Sequence, residues 1–248
     1  MAGRAGAKAG RFVGKHAGCV PETRFGTWFQ DTTVWYRYVL LEALAELERL
    51  VARPSGRFAR VLDVGCGRGR ALRALEDRFQ PDVLIGVDLD PSAIERATQA
   101  AAECSCRIDL RVADVTKLEL PDASVDLVFC HQTLHHLRDQ ASALAELHRV
   151  LAPDGVLLLA ESCRPFIDSP LVRLLFRHPM EVQRSADEYL ALLRSAGFEF
   201  RADRVSTPDP WWARRDFGLR ARLGRRVPAG SLDPTQLCVA ATRSAYSP

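Results

Sequence analysis

The stretch Val61-Leu62-Asp63-Val64-Gly65-Cys66-Gly67-Arg68-Gly69 constrains the fold more than any other part of the chain. An apolar run carries one acid, and a glycine-rich turn then feeds a helical pattern from Arg70 to Arg78. The turn glycines leave the backbone bare, so a ligand can approach N–H groups at the start of a helix. A second apolar run, Val83 to Val87, ends at Asp88. An acid about 20 positions beyond such glycines is where nucleotide-binding βαβ units hold a ribose diol. The spelling narrows the choice of nucleotide. A dinucleotide fingerprint would carry its third glycine where Arg70 stands,. Asp63 beside the ligand would repel a pyrophosphate and suit a cation.

From Arg60 onward, apolar runs alternate with helical patterns. Strands are expected near 60–65, 82–87, 107–112, 125–130, 155–161, 198–204 and 235–241, and helices near 69–78, 91–103, 139–151 and 186–196,. That alternation implies an α/β fold, doubly wound, with a mostly parallel sheet covered on both faces. Upstream, Val34, Leu40, Leu41, Leu44, Leu47 and Leu50 predict a helix over about 33–52, closed by Pro54,. Phe25, Trp28, Phe29, Trp35 and Tyr36 cluster at its start. They read either as a staple closing the core or as a lid over a ligand. The expected organisation is a basic tail over 1–20, a helical cap over 21–56, and a main domain over 57–248 with insertions at 164–185 and 205–232. Both insertions follow carboxyl ends of strands, where open α/β sheets hold ligands.

Composition excludes more than it selects. A chain of 248 residues with 47% hydrophobic and 26% charged residues suits one globular domain, and a net charge of +3 argues little for a nucleic-acid partner,. Seven cysteines form no disulfide-like framework, so a reducing, cytoplasmic setting is expected,. Cys104-Ser105-Cys106 lacks zinc spacing, and no metal site is expected,. No apolar run reaches membrane-spanning length. The start, Met1 to Gly18, has no acid and no apolar core of the kind a secretory signal needs,.

Four further landmarks follow the glycine turn in order: Asp88-Leu89, Val112-Ala113-Asp114-Val115, Val125-Asp126-Leu127-Val128-Phe129-Cys130-His131 with Gln132-Thr133-Leu134-His135-His136-Leu137, and Arg149 to Leu157 around Pro153-Asp154-Gly155. Over about residues 60–163 the chain resembles the class I S-adenosylmethionine-dependent methyltransferases, small-molecule type. The resemblance implies a seven-stranded Rossmann-like sheet whose last strand, about Gln236 to Ala241, runs antiparallel beside the fifth. It implies S-adenosyl-L-methionine as cofactor. Asp63, Gly65, Cys66 and Gly67 would face its methionine part, Asp88 and Leu89 its ribose, and Asp114 and Val115 its adenine. His131 would lie near the methyl group, and Trp28 would cover the site.

Several readings stay open. Asp114 also suits a turn cap. His131 is either a general base or a pocket wall. His135 and His136 either pack against the next helix or touch substrate. A small-molecule substrate is expected, without nucleic acid, because Cys130-His131-Gln132-Thr133 stands where amide and nucleobase methylation would show an Asn-Pro-Pro-Tyr-like motif. The rivals are an enzyme acting on RNA or protein, a silent cofactor binder, and a non-methyl reaction using the sulfonium as a fixed charge.

Overall fold

A computed structural model describes residues 20, 22–51, 58–214 and 233–243. The expected tail over 1–20 apart from Val20, the end of the expected cap from 52 to 56 with Pro54, and most of the second insertion, from 215 to 232, lie outside the described residues.

The apolar runs become strands: β1 Arg60–Val64, β2 Val83–Asp88, β3 Arg107–Val112, β4 Val125–His131 and β5 Leu151–Ser162. These five are parallel, in the order β3-β2-β1-β4-β5. β8, Gln236–Arg243, joins β5 antiparallel, with Leu159 opposite Val239. Successive residues face opposite sides of the sheet. Leu62, Val64 and Ile85 therefore enter one core cluster with Leu144 and Leu147, whereas Val61 and Leu84 enter the other with Leu44 and Leu72. Burial on both faces explains why these strands read as near-continuous apolar runs.

The helices start where their caps predict. In α5, Pro91–Ala101, Asp90 accepts from the Ser92 N–H and proline fills the first position,. In α9, Ala186–Ser195, Ser185 and Glu188 close a capping box,. α4, Leu72–Phe79, and α6, Gln140–Val150, complete the crossovers.

Three expectations are corrected. The helix expected over 33–52 is α2, Thr33–Trp35, then a π turn, Tyr36–Leu41, then α3, Glu42–Leu50. The turn expected at Pro153-Asp154-Gly155 is a bulge inside β5. Val125 pairs with Leu151, but Leu127 pairs with Val156, and Asp154 takes φ +61°,. The sixth strand expected over 198–204 splits into β6, Phe198–Glu199, and β7, Val205–Ser206, both on β8, which makes eight strands among the described residues. Arg201, Ala202, Asp203 and Arg204 between them carry no apolar alternation to bury,.

Ahead of the sheet lies α1, Arg24–Gln30, capped by the Thr23 hydroxyl. The first insertion contains α7, Arg164–Ile167, and α8, Pro170–Leu175. Strand order reverses between β1 and β4, which opens a crevice at their carboxyl ends,.

Candidate active site

A cavity of about 250 Å³ occupies that crevice. Its floor is the end of β1 and the glycine turn, with Asp63, Gly65, Cys66 and Gly67 on its wall. The end of β4 brings His131 and Gln132. The cap and the first insertion close the top together. Phe25 and Phe29 meet Phe176 edge-on at 5.6 and 5.9 Å, and the Thr23 hydroxyl donates to the Leu175 carbonyl at 2.5 Å. Arginines of the glycine turn reach up to the same roof. Arg68 pairs with Asp31, and Arg70 lies 4.9 Å over the Tyr36 ring while donating to the Thr32 carbonyl. The π turn presents Val39 and Leu40 to the cavity, a use of this irregularity common at functional sites. From the second insertion, Trp212 reaches the wall and donates to the Tyr38 carbonyl at 2.7 Å.

Asp63 is the electrostatic centre. It is 2% exposed, and its Oδ2 has no hydrogen-bond partner among the described residues. Burial, with the charge of Asp88 nearby, raises its carboxyl to about 8. A buried acid without a partner is costly for folding alone and suits a cationic guest. Gly67 adds a cradle: its φ is +52°, and no heavy atom lies within 4 Å of the place where a Cβ would stand. These features fit the ammonium and sulfonium of S-adenosylmethionine.

Asp88 stands at the end of β2, outside the cavity wall. Its Oδ2 accepts from the Gly67 N–H and its Oδ1 from the Asp90 N–H, both at 2.9 Å. It therefore shapes the glycine turn. Leu89 follows it, half-buried. Asp114 is exposed at the end of β3, and its Oδ1 accepts from the N–H and hydroxyl of Thr116. The turn-cap reading of Asp114 therefore describes its present contacts. Val115 is 8% exposed and belongs to the core.

His131 lines the cavity at 8% exposure, stacked on Phe129 and edge-on to Trp35 at 5.7 Å. Its Nε2 has no partner among the described residues, and burial pushes it down to about 4. Gln132, next in the chain, takes φ +53°. Strain of this kind gathers at sites. The Gln132 side chain joins Ser162 and Gln236 in a polar ring, with Ser162 donating to Gln132 at 2.7 Å. No local sequence signal marks that ring, because its members come from three strand ends.

Trp28 requires correction. It is 60% exposed, touches Phe25, and lies off the cavity wall, where Trp35 stands instead. The inner face of α1 is set by Phe25 and Phe29, one turn apart, docking on Phe176,. His135 and His136 also line the cavity, and His178 of the first insertion joins them. His135 Nδ1 lies 2.6 Å from Glu161 Oε2, and the other Glu161 oxygen accepts from the N–H groups of Thr133 and Leu134. Glu161 is fully buried and holds the whole loop after β4. Burial lowers His136 well below the usual imidazole range and His178 to about 3.

Comparison with known proteins agrees with this geometry. A family model described as a methyltransferase domain matches residues 62–159. The 27-O-demethylrifamycin SV methyltransferase of Amycolatopsis mediterranei is 32% identical over 214 residues, covering 77% of this chain and 78% of that protein. Phosphoethanolamine N-methyltransferase 3 of Arabidopsis thaliana is 33% identical over 141 residues, which are 56% of this chain and 29% of that longer protein. The crystal structure of an S-adenosylmethionine-dependent methyltransferase from Mesorhizobium loti superposes with a TM-score of 0.59 at 24% identity, covering 80% of this chain and 96% of that one. The domain match runs from β1 into β5, across the carboxyl ends of β1 to β4, and the chain belongs to the class I S-adenosylmethionine-dependent methyltransferases.

Proposed function

We propose that this protein transfers the methyl group of S-adenosylmethionine to a nucleophilic atom of a small molecule. The observation that carries this reading is Asp63, a buried acid with an unpartnered oxygen in the wall of a roofed, largely apolar cavity. When bound, the cofactor supplies a methyl carbon on a positively charged sulfur, which departs as a neutral thioether. The chain's own residues have three tasks. Asp63 holds the cationic amino-acid end, and the Gly65–Gly67 backbone lies along it. Asp88 takes the ribose hydroxyls while keeping its grip on the Gly67 N–H. The roof of Phe25, Phe29 and Trp35 excludes water, so that substrate rather than solvent meets the methyl group.

His131 serves as an orienting acceptor. An imidazole pushed down to about 4 is neutral near pH 7 and is a weak base, yet its ring lines the cavity and its Nε2 has no partner among the described residues,. His131→Ala is expected to lower kcat about tenfold while cofactor affinity changes less than about threefold, the pattern of a lost positioning contact. A loss beyond about a hundredfold would instead make it the base. Asp88→Ala is expected to weaken cofactor binding by more than about tenfold. It should also cost about 1 kcal/mol of stability through the freed Gly67 and Asp90 amides. Calorimetry and a urea melt read the two effects, and unchanged affinity removes Asp88 from the site.

Small molecules are supported as substrates by the enclosed cavity and by the names of the relatives, which act on a rifamycin and on phosphoethanolamine. The decisive experiment incubates the protein with methyl-labelled cofactor and host-cell extract. Label in a low-mass product supports the proposal. Label in RNA or protein moves the enzyme to a macromolecular substrate. Intact cofactor after prolonged incubation argues against methyl transfer altogether.

A further inference from the structure

We infer that His135, His136 and His178 form a binding site for a divalent transition-metal ion of the zinc class, set in the wall of the cavity. One ligand nitrogen from each ring lies within 4.8 Å of the others. Zinc–nitrogen bonds of about 2.0–2.1 Å in a tetrahedral arrangement need nitrogens roughly 3.3 Å apart, a distance that small ring rotations supply. Imidazole nitrogens are the commonest metal ligands in proteins. The rings already pack together, with centroids 4.2 to 5.2 Å apart.

The surroundings have the form of an outer shell. Glu161, fully buried, contacts His135 Nδ1 at 2.6 Å. A proton held between them leaves the Nε2 lone pair of His135 free, the carboxylate–histidine arrangement that orients and strengthens a metal ligand. Two buried glutamines fix the trio across 42 residues of sequence. Gln183 Nε2 donates to the carbonyls of His135 and Pro179, and Gln140 Nε2 to those of Leu134 and Val182. His178 is thus clamped beside His135 and His136 by a scaffold that needs no metal to form. Three protein ligands leave a fourth position open, as catalytic zinc sites do, and all three rings line the cavity. That position takes water or an oxygen or nitrogen donor of a small molecule. The expectation of no metal site rested on cysteine spacing, which says nothing of histidines gathered by the fold.

The test uses the full chain, stripped with chelator and then given cobalt(II) alone. Cobalt bound by three imidazoles absorbs visible light, and the expected result is a spectrum that saturates at one ion per chain and is bleached by added zinc(II) alone. His178→Ala and His136→Ala are expected to weaken cobalt binding more than about a hundredfold, and Glu161→Gln about 10–100-fold. His148→Gln, away from the cavity, should leave it unchanged. A wild-type titration without a one-to-one visible spectrum overturns the inference, and so does binding that survives both histidine variants. If those variants fail to fold, the wild-type titration decides alone. No outcome depends on methyl transfer.

Discussion

Asp63→Asn is expected to make the free protein more stable and to cost it about a hundredfold in affinity for S-adenosylmethionine. The folded protein holds this carboxyl's proton more tightly than the unfolded chain does, because burial raises its pKa from 3.8 to about 8. The stabilisation from that tighter hold is complete below the unfolded value and is lost as pH rises through about 8. A tenfold change in proton affinity corresponds to about 1.4 kcal/mol, so the free protein weakens by several kcal/mol between pH 4 and pH 8. Asparagine cannot ionise and escapes this loss. It still buries an amide at some cost, so the expected gain at pH 8.5 is on the order of 2 kcal/mol, or about 4–8 °C in Tm. At pH 5, where the aspartate is protonated, the gain should vanish. The cofactor reverses the ranking, because a cation beside a buried carboxylate contributes roughly 1.5–3 kcal/mol that the amide cannot supply. Thermal melts of both proteins at the two pH values, with and without cofactor, check every part. Equal melting at pH 8.5 would contradict the electrostatic argument, and equal affinity would remove Asp63 from the cofactor site.

The two glycines of the turn are expected to fail in different ways. Gly65 has φ +68°, and a Cβ there would meet Thr133 Oγ1 at 2.4 Å. Thr133 has little room to yield, since its hydroxyl lies 3.1 Å from the carbonyls of Val64 and His131 and its N–H donates to Glu161. Gly65→Ala therefore adds a left-handed backbone penalty to a steric one, about 2–4 kcal/mol in all. Gly67 has φ +52° and open space around it. Gly67→Ala should cost only about 1 kcal/mol, while its methyl group would stand in the open space proposed for the cofactor. Urea midpoints should fall mainly for Gly65→Ala, and cofactor affinity mainly for Gly67→Ala, by more than about tenfold. A Gly65→Ala protein as stable as Gly67→Ala would show that the turn relaxes freely.

What the sequence made legible was local. β1, the turn and β2 follow from apolar runs and glycines a few residues apart, and Asp90-Pro91 marks a helix start by capping chemistry alone. Asp63 was visible as an acid in an apolar run, although its lack of a partner emerges only once β1 is packed on both sides. The misses are tertiary. Trp28 and Trp35 lie in one aromatic cluster in sequence, but the docking of α1 on Phe176 leaves Trp28 outward, while Trp35 of α2 packs on His131 at the cavity. His178 sits in an insertion without periodicity, so nothing local ties it to His135. The bulge in β5 hides because Pro153-Asp154-Gly155 spells a turn equally well.

The placing of β8 bears on how the protein is made. It is last of the eight strands in sequence, yet it lies inside the sheet, between β5 and the short strands β6 and β7. On the ribosome, every residue of the first seven strands is synthesised before the one segment that can cover the edge of β5. Until then Val156-Leu157-Leu158-Leu159-Ala160 presents unpaired backbone on an apolar strand, a template for pairing with another chain,. Vectorial synthesis thus leaves this edge of β5 uncovered until residues 163–243, which end with β8, have been translated.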